Sequence, residues 1–285
     1  MKIRAPAKIN LFLEIGAPAE GFHKIVSLVD IINLYDIIEI EEASRTRVIF
    51  HPGTGIPAEN TVTKSISILK SLFEVKRDVR IEIRKNIPPG SGLAGGSSDA
   101  ASVLKALVKL WDITVQPDRL MRIGSQIGKD VPLFMAGRRC VMRGFGEQVS
   151  TDAGRQPLAY FLAIPPFPVS TAEVYSRFDA MGLKGNLTEA EGKIKLLIDS
   201  IEGKSIDGAR QIMKNGLEEA YFSLWHRAKE VRDYLRERTG TRIFVSGSGG
   251  TLFSVFPDIR EAEEKTRLLN VEGWSRYVAE STTAS

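Results

Sequence analysis

The chain has 285 residues, 43% of them apolar and 26% charged, with a mean hydropathy of −0.08. That balance belongs to a folded globule, not a disordered chain, and the length suits two domains of roughly 150 residues each. No run approaches the ~18 consecutive apolar residues of a membrane helix, and the opening Met1-Lys2-Ile3-Arg4-Ala5-Pro6 lacks the apolar stretch of a signal peptide. A cytoplasmic protein with no membrane partner is therefore expected. One cysteine, Cys140, and three scattered histidines, His23, His51 and His226, argue against a disulfide, a cysteine-rich zinc cluster or a histidine metal site. The net charge of +4 would suit nucleic acid or a small anionic substrate alike. The basic residues lie beside acids, as in Arg232-Asp233, so a surface of mixed charge with no nucleic-acid partner is the plainer expectation.

Taken in chain order, residues 5–13 alternate. As a strand they place Ala5, Ala7, Ile9, Leu11 and Leu13 on one face and Lys8, Asn10 and Phe12 on the other. Residues 29–40 read as further strand, and 61–74 as a helix with Val62, Ile66, Leu69 and Phe73 on its inner side. Val79, Ile81 and Ile83 alternate with Arg80, Glu82 and Arg84, a strand with one wet face. A Pro-Gly-Ser loop then leads into a helix over about 97–110. Pro117 opens another helix to residue 127, and 138–143 read as strand. The polar stretch 150–157 marks the boundary between domains 1–155 and 156–285. Beyond it come a strand at 158–164 and a mostly helical run over 171–238. Strands at 242–246, 252–256 and 274–279 follow, with a helix at 258–269. Elements mixed without regular βαβ alternation predict an α+β fold.

The strongest local feature is Ile87-Pro88-Pro89-Gly90-Ser91-Gly92-Leu93-Ala94-Gly95-Gly96-Ser97-Ser98-Asp99. It leaves a strand and opens a helix. Its glycines let backbone turn tightly and approach a ligand, and the free N–H groups at the helix start attract anions. Ser97 and Ser98 add hydroxyls suited to phosphate oxygens or to a metal held by them. The competing reading is a flexible connector. Gly90 to Gly95 formally match G-x-G-x-x-G, but a dinucleotide fold wants a doubly buried strand before the loop and an acid ~20 residues later. Here the strand is charged on alternate positions, and the chain at 117–119 opens a helix. The lysine of a P-loop is missing, and neither H-R-D nor D-F-G of the protein kinases occurs.

This loop resembles that of the GHMP kinase family, which includes galactokinase and the homoserine, mevalonate and phosphomevalonate kinases. The resemblance runs through nearly the whole chain. It takes in residues 5–13, Gly21-Phe22-His23, Gly128-Lys129-Asp130-Val131-Pro132-Leu133-Phe134 and Gly144-Phe145-Gly146-Glu147. Val169-Ser170-Thr171-Ala172 and the stretch from Ser246 to Phe253 complete it. It implies a two-domain α+β architecture, the N-terminal half like the second domain of ribosomal protein S5 and the C-terminal half ferredoxin-like. It further implies an alcohol phosphotransferase using ATP and Mg²⁺, with its site in the cleft between the domains. Within the family, the motifs point to the branch that phosphorylates the 2-hydroxyl of a cytidine diphosphate-linked methylerythritol, in non-mevalonate isoprenoid precursor synthesis. A kinase for another alcohol, such as homoserine or a mevalonate derivative, is the nearest rival. An RNA-binding protein with an S5-like fold is the rival from a different class.

On this resemblance, residues from Pro88 to Ser98 hold the ATP phosphates and Asn60 lines the adenine pocket. From residue type alone, Asn60 equally caps the helix that follows it. Asp130 is the candidate base for the acceptor hydroxyl, with a helix cap before Pro132 as an equal reading. Lys8 would stabilise the forming alkoxide and hold Asp130 ionised, and Asn10 shares its strand face. Phe22 and Tyr175 would stack on a cytosine ring while His23 meets its edge. Ser170 and Thr171 are substrate contacts or caps of the next helix. Two positions depart from the family pattern: Phe22 replaces the usual tyrosine, and Gly216 the usual aspartate. The motif 246–251 supports the site from the second domain, or is only a hairpin turn. No metal ligands and no oligomeric state are assigned.

Overall fold

Two long strands, β1 (Lys2–Ala19) and β2 (Phe22–Ala43), form the antiparallel hairpin around which the first half of the chain is built. The structure, a computed structural model, describes residues 1–53 and 56–283. Residues 5–16 of β1 are buried without interruption, because the strand is covered on both faces. Burial therefore does not alternate along it. Register shifts between Pro6 and Ala7 and between Asn10 and Phe12 change which face the following residues present. Leu11 and Phe12 accordingly enter one core cluster with Ala7 and Ile9, whereas Ala5 enters another.

Further elements of this half are β3 (Arg47–His51), α1 (Thr61–Leu72), β4 (Asp78–Arg84), α2 (Gly95–Leu110), α3 (Pro117–Ile127), α4 (Val131–Ala136), β5 (Cys140–Arg143) and β6 (Gln148–Ser150). β3, not legible in the sequence, lies parallel to β4 at the sheet's edge. β4 buries Val79, Ile81 and Ile83, as its alternation predicts. Helices α1 to α4 share one core cluster with the sheet through Val62, Ile66, Leu104, Leu107, Ile123 and Phe134.

The second half contains β7 (Ala159–Ile164), α5 (Thr171–Ala180), α6 (Leu187–Glu202), α7 (Ile206–Ile212), β8 (Lys214–Asn215), α8 (Glu218–Leu224), α9 (His226–Thr239), β9 (Phe244–Val245), β10 (Leu252–Phe256), α10 (Ile259–Thr266) and β11 (Ser275–Glu280). Its antiparallel sheet has the order β11-β7-β10-β9. Counting its strands along the chain, that is 4-1-3-2, the ferredoxin-like arrangement. The run 171–238, expected to be mostly helical, is five helices interrupted by β8. This short strand returns to the first sheet and pairs parallel with β1. The chain's end also ties the sheets together: Ser281 Oγ donates to Asp30 at 2.6 Å and Thr282 N–H to Ile31 O at 2.8 Å. Among the described residues, no helix is long and apolar enough to cross a membrane.

Candidate active site

The glycine loop joins β4 to α2. Gly90 and Gly92 adopt φ of +67° and +77°, and Ala94, at +56°, turns the chain into the helix. No side chain caps α2. The N–H groups of Ser97 and Ser98 return to Ala94 O at 3.1 Å, so among the described residues the unpaired donors at the start of α2 are those of Gly95 and Gly96. The loop's carbonyls are held from behind by the second half of the chain. Ser246 Oγ donates to Gly92 O at 3.1 Å, Thr251 Oγ1 to Ser91 O at 2.7 Å, and Val169 N–H to Gly90 O at 3.1 Å. A Cβ at Gly92 would collide with Ser246 O and come within 2.6 Å of Gly249 O. The segment 246–251 is thus both the β9–β10 turn and the wall against which the loop rests.

The two glycines at the start of α2 differ in what requires them. A Cβ on Gly95 would lie 2.9 Å from Ile87 Cγ2, so this glycine serves close packing under the loop. Gly96 is exposed, and its carbonyl accepts from Thr61 Oγ1 at 2.8 Å. That bond sets the start of α1 beside the loop. Asn60 itself caps α1: its Oδ1 accepts from Val62 and Thr63 N–H at 3.0 and 3.1 Å, and its Nδ2 donates to Pro57 O at 2.9 Å. The N-cap reading that its residue type allowed is therefore realised.

Lys8 and Asn10, on β1, share a buried polar seam. Lys8 Nζ donates to Asn10 Oδ1, Asn10 Nδ2 to Ser27 Oγ at 2.9 Å, and Ser27 Oγ to Phe12 O at 2.6 Å. Lys8 is 5% exposed, and its N–H donates to Leu93 O at 3.2 Å, binding β1 to the phosphate loop. Burial pulls the Lys8 ammonium down to about 8, against the opposing pull of the Asp130 charge. Asp130 precedes α4, but its backbone is helical and its side chain makes no capping bond. The cap reading is not realised. The same carboxylate acts electrostatically on Lys8 and on Tyr175 of α5, so elements distant in sequence converge on one polar centre.

The aromatic residues are arranged differently from a simple sandwich. Tyr175 lies against His23, ring centroids 5.3 Å apart and planes at 35°, with Phe178 edge-on to His23 at 5.7 Å. Phe22, 56% exposed, pairs with Phe145 at 6.1 Å, and the Lys129 ammonium sits 5.5 and 5.6 Å from the two rings. His23 Nδ1 meets Gly16 O at 2.9 Å and its Nε2 meets Asp179 Oδ1 at 3.1 Å. Presenting the imidazole edge to a base would therefore mean leaving Asp179. A lone aspartate on a helix carries no motif, and the sequence offers no sign of it. Ser170 caps α5 through Glu173 N–H at 3.3 Å, and the Thr171 and Ser248 hydroxyls are 2.8 Å apart.

Gly216 has a local explanation. A Cβ there would lie 3.2 Å from Glu14 Oε1, and Glu14 already pairs with Lys214 at 2.7 Å. An aspartate would set a second carboxylate beside it. Asn215, unassigned from the sequence, donates to Val245 O and Gly247 O at 2.8 Å and so holds the 246–251 wall in place.

Residues 60–138 match the family model for the GHMP kinases N terminal domain. Over 275 residues the chain is 34% identical to the 4-diphosphocytidyl-2-C-methyl-D-erythritol kinase of Caldicellulosiruptor bescii, covering 95% of this chain and 94% of that one. The chain belongs to this family of GHMP kinases. A relative of the same name from Clostridium botulinum is 33% identical over 267 residues, 93% of this chain and 94% of its own. A crystal structure of a 4-(cytidine 5'-diphospho)-2C-methyl-D-erythritol kinase superposes with a TM-score of 0.81 at 29% identity, covering 99% and 100% of the two chains. A homoserine kinase from Cytophaga hutchinsonii shares the fold, with a TM-score of 0.72 at 17% identity over 100% and 95%. Membership of this family turns the rival reading as an RNA-binding S5-like protein aside.

Proposed function

We propose that the chain transfers the γ-phosphoryl group of ATP to the 2-hydroxyl of 4-diphosphocytidyl-2-C-methyl-D-erythritol. The observation that carries the reading is a buried cation, Lys8, within electrostatic reach of Asp130, whose side chain makes no capping bond, beside a glycine loop whose helix has no side-chain cap. Phosphoryl transfer asks chiefly for positioned phosphates and an oriented nucleophile. The acceptor oxygen forms a bond to the γ-phosphorus as the bond from that phosphorus to the β–γ bridging oxygen breaks. ADP departs with the bonding pair, and the hydroxyl proton passes to Asp130. Lys8 stabilises the oxyanion as it develops.

Magnesium, bound with the nucleotide, would neutralise charge on the β- and γ-phosphates. Ser98 Oγ is fully buried at the start of α2 with no partner among the described residues, which fits a hydroxyl awaiting a phosphate oxygen or a hydrated cation. No group of three His, Cys, Asp or Glu side chains suited to a metal occurs among the described residues, so phosphate and hydroxyl oxygens would be the donors. His23, Tyr175 and the exposed Phe22 supply the aromatic surface for the cytidine.

The test is ADP release with a panel of alcohols. Turnover is expected with the cytidine diphosphate-linked methylerythritol and not with homoserine, mevalonate or phosphomevalonate; the opposite pattern refutes the substrate. CMP should compete against the acceptor in the wild type and far more weakly in His23→Ala and Tyr175→Ala, since a lost base stack costs about 1–3 kcal/mol.

A further inference from the structure

Beneath the phosphate loop lies a buried ion cluster that the transfer chemistry leaves unused. Lys85, the residue after β4, reaches Asp36 of β2 and, at 2.6 Å, Asp99 of α2. The three side chains are 8%, 0% and 2% exposed. Asp36 Oδ1 accepts the N–H groups of Asn86 and Ile87 at 2.6 and 2.8 Å, the residues with which the loop begins. At the other end, a Cβ on Gly95 would lie 3.2 Å from Lys85 Nζ, so the ammonium sits against the first residue of α2. The cluster grips the loop where it leaves the sheet and again where it enters the helix.

Such a cluster is a costly way to brace a strand against a helix. Two carboxylates share one ammonium away from water, and desolvating ions in this way often outweighs their attraction, so apolar packing would be the cheaper brace. The strain is visible at Asp99. Burial pushes its carboxyl up to about 7 against the pull of Lys85, and its Oδ1 has no partner among the described residues. What the ions offer that apolar side chains do not is direction: each hydrogen bond fixes one backbone or side-chain atom at one distance.

We propose that Lys85, held between Asp36 and Asp99, is a positioning residue that sets the loop's backbone N–H groups at the spacing the ATP phosphates require. The proposal rests on the assignment of residues 88–98 to ATP. It makes the strand-exit lysine and the carboxylate after the two serines one functional unit with the loop above them.

The experiment follows amide hydrogen exchange across residues 86–99 in the nucleotide-free protein, alongside steady-state kinetics, for the wild type, Lys85→Met and Asp99→Asn. In Lys85→Met, exchange should quicken in 86–99 while α3 and the second sheet keep their protection. The KM for ATP should rise by roughly 10–100-fold, the scale of loss when a positioning group lets reacting parts shift by about 1 Å, with the acceptor KM near its wild-type value. Asp99→Asn, which retains the Asp36 arm, should show both effects in weaker form. Unchanged exchange and ATP KM in either folded variant would overturn the proposal, as would a rise in exchange spread evenly over the whole chain. Should Lys85→Met fail to fold, the isosteric Asp99→Asn decides alone by the same two readouts. Exchange requires neither acceptor nor turnover, so a wrong acceptor leaves this result standing. A wild type that binds no ATP removes the assignment of the loop itself.

Discussion

Replacing Lys8 by methionine separates the stability of this protein from its activity. Burial lowers the Lys8 ammonium from 10.5 to about 8, and at about 1.4 kcal/mol per pH unit the folded state at pH 7 carries a penalty of about 3 kcal/mol. The sign follows from linkage. Between about pH 8 and 10.5 the unfolded chain holds a proton on this lysine that the folded chain has released, so wild-type stability rises with pH across that window. Below about 8 the penalty is present in full. Lys8→Met removes it but strands Asn10 Oδ1, which loses its donor at a cost of about 1–3 kcal/mol. The two opposing effects partly cancel at pH 7. Their pH dependence does not: relative to the variant, the wild type should gain about 2–3 kcal/mol between pH 7 and pH 10. Urea denaturation of both proteins at several pH values measures this, while ADP release measures turnover. The variant should lose nearly all turnover while remaining folded. In the wild type without ligands the same lysine should lose its charge near pH 8. A stability difference constant from pH 7 to 10 would refute the buried, charged Lys8 on which the mechanism depends.

Asp130→Asn should melt near the wild-type temperature, since Asp130 caps nothing, while turnover falls by roughly 10²–10⁴-fold as expected for a lost general base. Turnover near the wild-type rate would remove Asp130 from the chemistry. Gly92→Ala should raise the KM for ATP steeply, because its Cβ meets two backbone oxygens and its φ is +77°, whereas Gly96→Ala, with only Thr61 Oγ1 at 3.6 Å, should leave ATP kinetics mildly affected. Gly95→Val should lower thermal stability through Ile87 and, by crowding Lys85 Nζ, raise the KM for ATP as well; an unchanged melting temperature would count against that packing. Gly216→Asp sets a carboxylate beside Glu14, so thermal melts should show a loss that added salt reduces by screening; a loss independent of salt would point to steric strain alone.

Much of this protein is set out in its sequence by short-range rules. The alternation at Val79, Ile81 and Ile83, the proline at the start of α3 and the glycines at 90 and 92 each report a local requirement of period, φ or ligand approach. Each reappears in the structure where the residues place it. The motif order named the family, because Ala5 to Leu13, the phosphate loop and Ser246 to Phe253 keep their spacing along the chain. What the tertiary structure decided depends on partners far away in sequence. β8 has only two residues and β3 lies at the sheet's edge; both exist through pairing with β1 and β4. Two register shifts in β1 overrode its period-two pattern. Asn60 and Asp130 looked equally like caps from residue type, yet only Asn60 is one. The family motif singles out Lys8, but its depressed proton affinity is a property of the strands, loop and glycine wall that close over it. A local pattern fixes what a segment prefers; burial and charge at a site are sums over every element that reaches it.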